Sequence, residues 1–264
     1  MKDSISIEGI ESHLVNKEFT GQISVFSSLA STNKTAKEML LSGMAGHGAI
    51  VVADGQTEGK GRYGRTFHSP ALHGIYMTVV LQSDLLHFDE LALVTAFAAV
   101  AVCEAIEAVS DEKVKIKWVN DIILYNKKVC GILAESVLTG ENSKKQYVIV
   151  GIGINVDTPK AAFPDEVKDI AGALFSKGKG CSRNKLIAEI ADRLLSANRY
   201  GKKEMLKKYK ARSLVIGKNI SVTVAGETYK ATAIDIDDAG RLILRTETGA
   251  ARSLSAGEVS VRAL

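Results

Sequence analysis

The chain has 264 residues, 46% of them apolar and 24% charged, with a formal net charge of +4. That length and balance fit one large globular domain, or a large one plus a small one, and exclude a disordered or collagen-like chain. The mild basic excess falls short of a dedicated nucleic-acid binder and suits a protein that handles a phosphate-bearing substrate or docks on an acidic partner.

The N-terminal "MKDSISIEGIESHLVNKEF" alternates polar and apolar residues and lacks the apolar core of a signal peptide, so the expected location is the cytoplasm. Residues 22–28, "QISVFSS", read as a strand, and Ser31 is placed to cap a helix over "TNKTAKEMLLS". "GAIVVAD" (48–54) and "GIYMTVVLQ" (74–82) are two further strands. "FDELALVTAFAAVAVCEAIEAV" (88–109) is apolar nearly all round and reads as a central buried helix. No apolar run approaches the ~20 residues of a membrane span.

"VKIKW" comes next as a strand, and "DIILYNKKVCGILAESVL" (121–138) as a hairpin turning at Asn126–Lys127. "QYVIVGIGINV" (146–156) is another strand. Residues 158–181 read as loop with a short helix, and Ser182 opens an amphipathic helix that reaches about Tyr209. Beyond Ser213 the texture changes to short alternating strands separated by turn residues, the pattern of a small barrel of about 50 residues. The expected division is therefore residues 1–212 and residues 213–264. Cys103, Cys130 and Cys181 are odd in number and widely spaced, which gives neither a disulfide framework nor a zinc site. The five histidines do not cluster into one either.

The chemistry concentrates in two stretches. In "DGQTEGKGRYGRTFHSP" (54–70), Gly59, Gly61 and Gly64 interleave with Lys60, Arg62 and Arg65. The spelling matches a dinucleotide fingerprint, but that fingerprint must open a helix. The chain continues instead with "RTFHSPALHG", which contains Pro70 and has no helical periodicity. A phosphate-binding P-loop fails as well, because Gly55 stands one residue too close to Gly59–Lys60 and Gly61 occupies the Ser/Thr position. The remaining reading is an anion-binding loop: glycine amides without a Cβ approach anionic oxygens, and Arg offers forked donors. The second stretch, "KWVNDIILYNKKVCGILAE" (117–135), holds the only tryptophan, an Asn120–Asp121 pair and adjacent Lys127 and Lys128. It can present an ammonium to an anionic centre; a core Trp with surface lysines explains it equally well.

Four blocks occur in order: "STN" (31–33), "GQTEGKGRYGRTFHSP", "KWVNDI…KKVCGIL" and "GIGINV" (151–156). Together they resemble the biotin protein ligases (biotin–acetyl-CoA-carboxylase ligases or holocarboxylase synthetases) over nearly the whole chain. The resemblance implies an α+β fold: a mixed-sheet catalytic domain of the class II synthetase-like biotin/lipoate ligase type, then a small SH3-like β-barrel. It implies ATP-dependent activation of biotin as biotinyl-5′-AMP, then transfer to a lysine of a biotin carboxyl carrier protein domain. MgATP is co-substrate, and no tightly bound prosthetic group is called for. No nucleic acid or membrane partner is expected, and the protein would act as monomer or homodimer.

Carried over to this sequence, the resemblance gives the biotin pocket to Ser31, Thr32, Asn33, Gln56, Gly59, Lys60, Gly61, Arg62, Trp118, Lys128 and Gly131. It gives the nucleotide site to Arg62, Arg65, Phe67, Asn120, Asp121 and Asn155. Lys128 and Arg62 would carry the chemistry, Lys128 by stabilising charge between the carboxylate and the α-phosphate. Magnesium would arrive with ATP, near Asp121. The family's usual W-P-N-D reads W-V-N-D here, with Val119 for proline, and Lys60 stands where Arg is frequent. Some relatives carry an N-terminal DNA-binding domain; the roughly twenty residues ahead of the first strand are too few for one, judged from the size of such domains. Two alternatives remain: a lipoate or octanoate ligase or transferase on the same core, and a non-enzymatic sensor of biotinyl-AMP.

Overall fold

The computed structural model describes residues 4–86, 91–139, 146–175, 181–196, 201–255 and 257–261. Its centre is a seven-stranded sheet made of β1 (Ile23–Phe26), β2 (Ile50–Ala53), β3 (Gly74–Gln82), β4 (Lys115–Lys117), β5 (Asp121–Leu124), β6 (Lys127–Leu138) and β7 (Gln146–Asn155). The spatial order is β1-β2-β3-β7-β6-β5-β4; β1 and β2 run parallel and every other neighbour antiparallel. Period-2 alternation sorts the side chains to two faces. Ile50, Val52, Met77 and Val79 join the main core, whereas Val51, Val80 and Ile149 pack with Ala36 and Leu40 of helix α2 (Thr32–Leu41).

The main core is roofed by α3 (Leu91–Val109), with α4 (Arg183–Leu195) and α5 (Lys202–Arg212) against it. By length and composition α3 is apolar enough to cross a membrane, which corrects the expectation that no run approaches that length. Here 72% of its apolar window is buried against the sheet and neighbouring helices. Residues 88–90, where the sequence places the start of this helix, lie outside the described residues.

Residues 219–261 form a five-stranded antiparallel sheet in the order β11-β10-β9-β8-β12, with β8 Asn219–Val224, β9 Glu227–Ile236, β10 Leu242–Thr246, β11 Ala251–Leu254 and β12 Glu258–Val261. Ile220, Val222, Ala233, Leu242 and Leu244 of this sheet belong to the same continuous core as α3 and α5. Polar contacts cross the junction too: Leu214 N donates to Ile116 O, and Lys210 pairs with Asp235 at 2.9 Å. The fold is α+β as expected, and the C-terminal sheet is compatible with the small SH3-like form.

Local readings differ at three places. The N-terminal stretch is a helix, α1 (Ile7–His13), capped by the Ser6 hydroxyl on Gly9 N; it packs on α4 through Ile10. The hairpin turns at Tyr125–Asn126, one residue earlier than expected, and both residues have positive φ (48° and 60°). That is the primed turn whose twist matches paired strands. The single helix expected from Ser182 to Tyr209 is two, since Gly201 is extended (ψ 137°) and caps α5 anew; residues 197–200 lie outside the described set.

Candidate functional site

One cavity of about 530 Å³ opens over the sheet, within the size range of small-molecule sites. Its walls are the N-terminus of α2, the loop of residues 59–67, the β5–β6 hairpin, the end of β7 and the segment 163–171. Thr223, Gly257 and Val259 from the C-terminal sheet close one side.

At the α2 end, Ser31 holds the N-cap position but makes no capping bond. Gln56 substitutes for it: its Oε1 accepts from Thr32 N (2.8 Å) and Thr32 Oγ1 (3.3 Å), while its Nε2 donates to Ser69 Oγ (3.0 Å). The buried Ser31 hydroxyl is thereby left to the cavity. Asn33 is committed to the protein, donating to Leu133 O and to Glu135 Oε2 (2.6 Å) and accepting from Thr78 Oγ1 (2.7 Å). Ser31, Thr32, Asn33 and Gln56 are thus brought together as expected. Gln56 and Asn33, however, act first as struts, because their polar atoms already have partners.

The glycine loop is held more firmly than its composition suggests. Gly61 N donates to Arg65 O (2.7 Å), Phe67 N to Gly59 O (2.8 Å), and residues 62–64 form a single tight turn in which Tyr63 has φ 57°. Arg62 donates from Nη1 to Asn120 Oδ1 (3.2 Å) and from Nη2 to Tyr63 Oη (2.9 Å). Strand β3 comes next with no α-helix between, as the rejection of a dinucleotide fingerprint requires. Lys60, Gly61, Arg62, Arg65 and Phe67 line the cavity; Gly59 does not. A Cβ at Gly59 would lie 2.3 Å from Phe67 O, so this glycine shapes the wall from behind.

Across the cavity, Lys128 Nζ pairs with Asp121 at 2.6 Å, the two side chains being 33% and 20% exposed. Asn120 Nδ2 donates to Ile132 O, which aims its Oδ1 at Arg62. Trp118 is buried at the cavity wall, and its Nε1 donates to Gly240 O (3.1 Å), so the only tryptophan ties the site to the C-terminal sheet. The Trp118–Val119 peptide is cis. The backbone of Lys128 pins the segment beyond 163, with Lys128 N donating to Ile170 O and Gly172 N to Lys128 O. Asn155 Nδ2 donates to Gly172 O, while its Oδ1 is buried with no partner among the described residues. An orphaned buried acceptor on a cavity wall is matched to a donor on a ligand.

Sequence reading missed several wall residues. Gly151 and Gly153 lie in "GIGINV", yet only Asn155 was singled out there. A Cβ on Gly153 would sit 2.5 Å from the Phe67 ring and one on Gly151 2.1 Å from Asn33 Oδ1, so both glycines make room for site side chains. The alternation Gly-Ile-Gly was the signal, since two glycines on one face of a strand mark a close approach. Phe163, Val167, Ile170 and Ala171 line the cavity from the segment that reads in sequence as loop with a short helix; His68 lines it too, with Nε2 buried and unpartnered among the described residues. No group of three His, Cys, Asp or Glu side chains that could hold a metal occurs among the described residues. Asp121, paired with Lys128, and Glu166 are the carboxylates lining the cavity among the described residues, a donor set that suits magnesium only if a triphosphate supplies most of its oxygens.

Residues 25–155 match the biotin/lipoate A/B protein ligase family and residues 215–262 the biotin protein ligase C-terminal domain. The chain is 37% identical over 247 residues to the bifunctional ligase/repressor BirA of Bacillus spizizenii, covering 90% of this chain and 74% of that protein. This chain belongs to the biotin protein ligase family. It is also 29% identical to the biotin–[acetyl-CoA-carboxylase] ligase of Mycobacterium tuberculosis, over 90% of this chain and 88% of that one. Among solved structures it resembles a biotin protein ligase from Aquifex aeolicus in complex with biotin and ATP, at a TM-score of 0.75 and 28% identity, over 91% of this chain and 98% of the other. The cavity has two unlike ends. One end is neutral and hydroxyl-lined at α2; the other is cationic at Arg62, Arg65 and Lys128.

Proposed function

We infer that the protein activates biotin with MgATP and transfers it to a lysine of a carboxyl carrier domain. The observation that carries this reading is the pairing, in one cavity, of a hydroxyl- and amide-lined pocket with the Lys128–Asp121 and Arg62–Asn120 pairs.

The neutral ureido head of biotin suits the Ser31 and Thr32 end, where uncharged donors and acceptors meet a rigid ring. The wall between Phe67, Trp118, Gly131 and Gly153 is apolar and takes the hydrocarbon part. The biotin carboxylate then reaches Lys128 and Arg62. In the first step a carboxylate oxygen attacks the α-phosphorus of ATP, the P–O bond to the β-phosphate breaks, and pyrophosphate leaves with both electrons. Two anions must meet for this, and Lys128 lowers their repulsion while holding charge that builds on the α-phosphoryl oxygens. The Asp121 carboxylate keeps that ammonium in place until substrate arrives. Asn155 Oδ1 fits an amino donor of the nucleotide, against the wall made by Phe163, Val167 and Ile170.

In the second step the neutral ε-amine of the carrier lysine attacks the acyl carbon, the bond to the AMP oxygen breaks, and the nitrogen loses a proton as the amide forms. The loop over the cavity keeps water from the mixed anhydride meanwhile. The use of ATP as co-substrate fits a cytoplasmic site of action. Biotin is favoured over lipoate by the C-terminal domain match. Pyrophosphate release from MgATP separates the two: it should require biotin and resist a large excess of lipoate, and lipoate-driven release of equal rate would overturn the assignment.

A further inference from the structure

The cationic loop and the C-terminal sheet meet at one atom. Tyr63 Oη accepts a hydrogen bond from Gly257 N at 2.8 Å and another from Arg62 Nη2 at 2.9 Å. The Arg62 guanidinium carbon also lies 4.9 Å from the Tyr63 ring centroid. The two donors use both lone pairs of the phenol oxygen, so its position is fixed from both sides. Tyr63 adopts φ 57°, a conformation a non-glycine residue keeps only where its surroundings hold it, and its side chain is otherwise 58% exposed. Apolar burial therefore does not explain the placement. Gly257 is fixed in turn: at φ 141° it favours glycine, and a Cβ there would lie 3.1 Å from Val224 Cγ2 and 3.2 Å from Thr223 O.

We propose that Tyr63 is a positioning residue that fastens the Arg62 loop to the C-terminal sheet through Gly257, so that this sheet governs how long the acyl-adenylate stays bound. Arg62 needs two restraints to point into the cavity. Asn120 supplies one at 3.2 Å and Tyr63 the other. Tyr63 lines the cavity, but its hydroxyl is engaged with Gly257 and Arg62, so it acts through Arg62; without the Gly257 bond its hydroxyl is free to turn to water and take Arg62 with it. The C-terminal sheet thus acts as the fixed post of a latch whose moving part is the loop.

The proposal rests on the ligase reading, and the tests keep the two apart. Tyr63→Phe keeps the ring and deletes only the hydroxyl. Biotinyl-AMP preformed on this variant and chased with unlabelled ligand should leave roughly three- to tenfold faster than from the unaltered protein, the range one ordinary hydrogen bond gives. The single-turnover adenylation rate should change by less than the off-rate does. In an Arg62→Ala background, Tyr63→Phe should add nothing further to the off-rate, because its effect passes through Arg62; a merely structural tyrosine would add the same factor in both backgrounds. In the ligand-free protein, amide exchange at Gly257 should rise in Tyr63→Phe while β8–β9 amides stay as they were. An unchanged off-rate, or an equal effect in the Arg62→Ala background, overturns the proposal. If the protein makes no biotinyl-AMP the ligase reading fails, and unchanged exchange at Gly257 then rejects the latch by itself.

Discussion

Lys128 and Gly153 show how much single residues decide. Lys128 reaches the cavity paired to Asp121 at 2.6 Å. An ammonium at that point matters most when charge concentrates on the α-phosphate, so Lys128→Ala should slow single-turnover adenylation at least a hundredfold, about 2.8 kcal/mol at ~1.4 kcal/mol per decade. Biotin affinity, measured by calorimetry, should fall far less. A collapse of affinity with normal adenylation would place Lys128 in binding alone. Gly153→Ala tests the wall: its new methyl meets the Phe67 ring at 2.5 Å, and the ring must tip into the cavity. Overpacking of this kind costs about 1–3 kcal/mol, which should appear as weaker biotin binding rather than slower chemistry. The sequence displays these residue types plainly. It does not display partners: Gln56, which the resemblance gives to the biotin pocket, already commits its amide to Thr32 and Ser69.

Among elements, the strands are legible in the sequence: the short β-branched and aromatic run "GIYMTVVLQ" suits a strand buried on both faces, and β3 covers those nine residues. The breaks were harder. Nothing in "YNKK" distinguishes a turn at Tyr125–Asn126 from one a residue later, and register across the β5–β6 hairpin settles it. The extended Gly201 that separates α4 from α5 looks, in sequence, like a tolerated helix glycine. A different element-level feature carries a pH dependence. His47, beyond the end of α2, packs edge-on to Phe19, and its Nδ1 accepts from Gln82 N of β3. Burial lowers its pKa below the ordinary 6.5, with Glu18 and Asp84 opposing. Just below pH 6.5 the folded protein then binds fewer protons at this site than the unfolded chain, so stability is full above that pH and falls as pH drops through the window beneath it. His47→Asn keeps an acceptor for Gln82 N without a titrating ring. Urea midpoints between pH 7 and pH 5 should fall less steeply in that variant, and parallel curves would reject the assignment.

At the scale of the molecule, the two compositional zones were legible from the change of texture after Ser213, but their dependence on each other was not. A boundary in sequence suggests separable units; the core instead runs without interruption from α3 through Tyr209 to Ile220 and Leu242. Trp118 donates to Gly240 O, and Gly257 donates to Tyr63. A chain ending at Arg212 would expose that apolar face. It should therefore lose the cooperative unfolding transition seen by near-ultraviolet circular dichroism in the full chain, and a sharp transition in the truncated protein would show the units to be independent. The same closeness explains why the site's hydroxyl end and cationic end could be guessed from motifs, while Tyr63 and Gly257, far apart in sequence and unremarkable alone, could not.

On the reading given above, this cavity makes a carboxylate into an acyl donor and delivers it to one lysine of another protein. Incubating the purified chain with biotin, MgATP and an isolated biotin carboxyl carrier domain, then reading the carrier's intact mass, tests this most directly. The carrier should gain one biotinyl group on a single lysine, in a reaction that depends on ATP and is lost in Lys128→Ala. An unmodified carrier, or a carrier modified equally when lipoate replaces biotin, would contradict it.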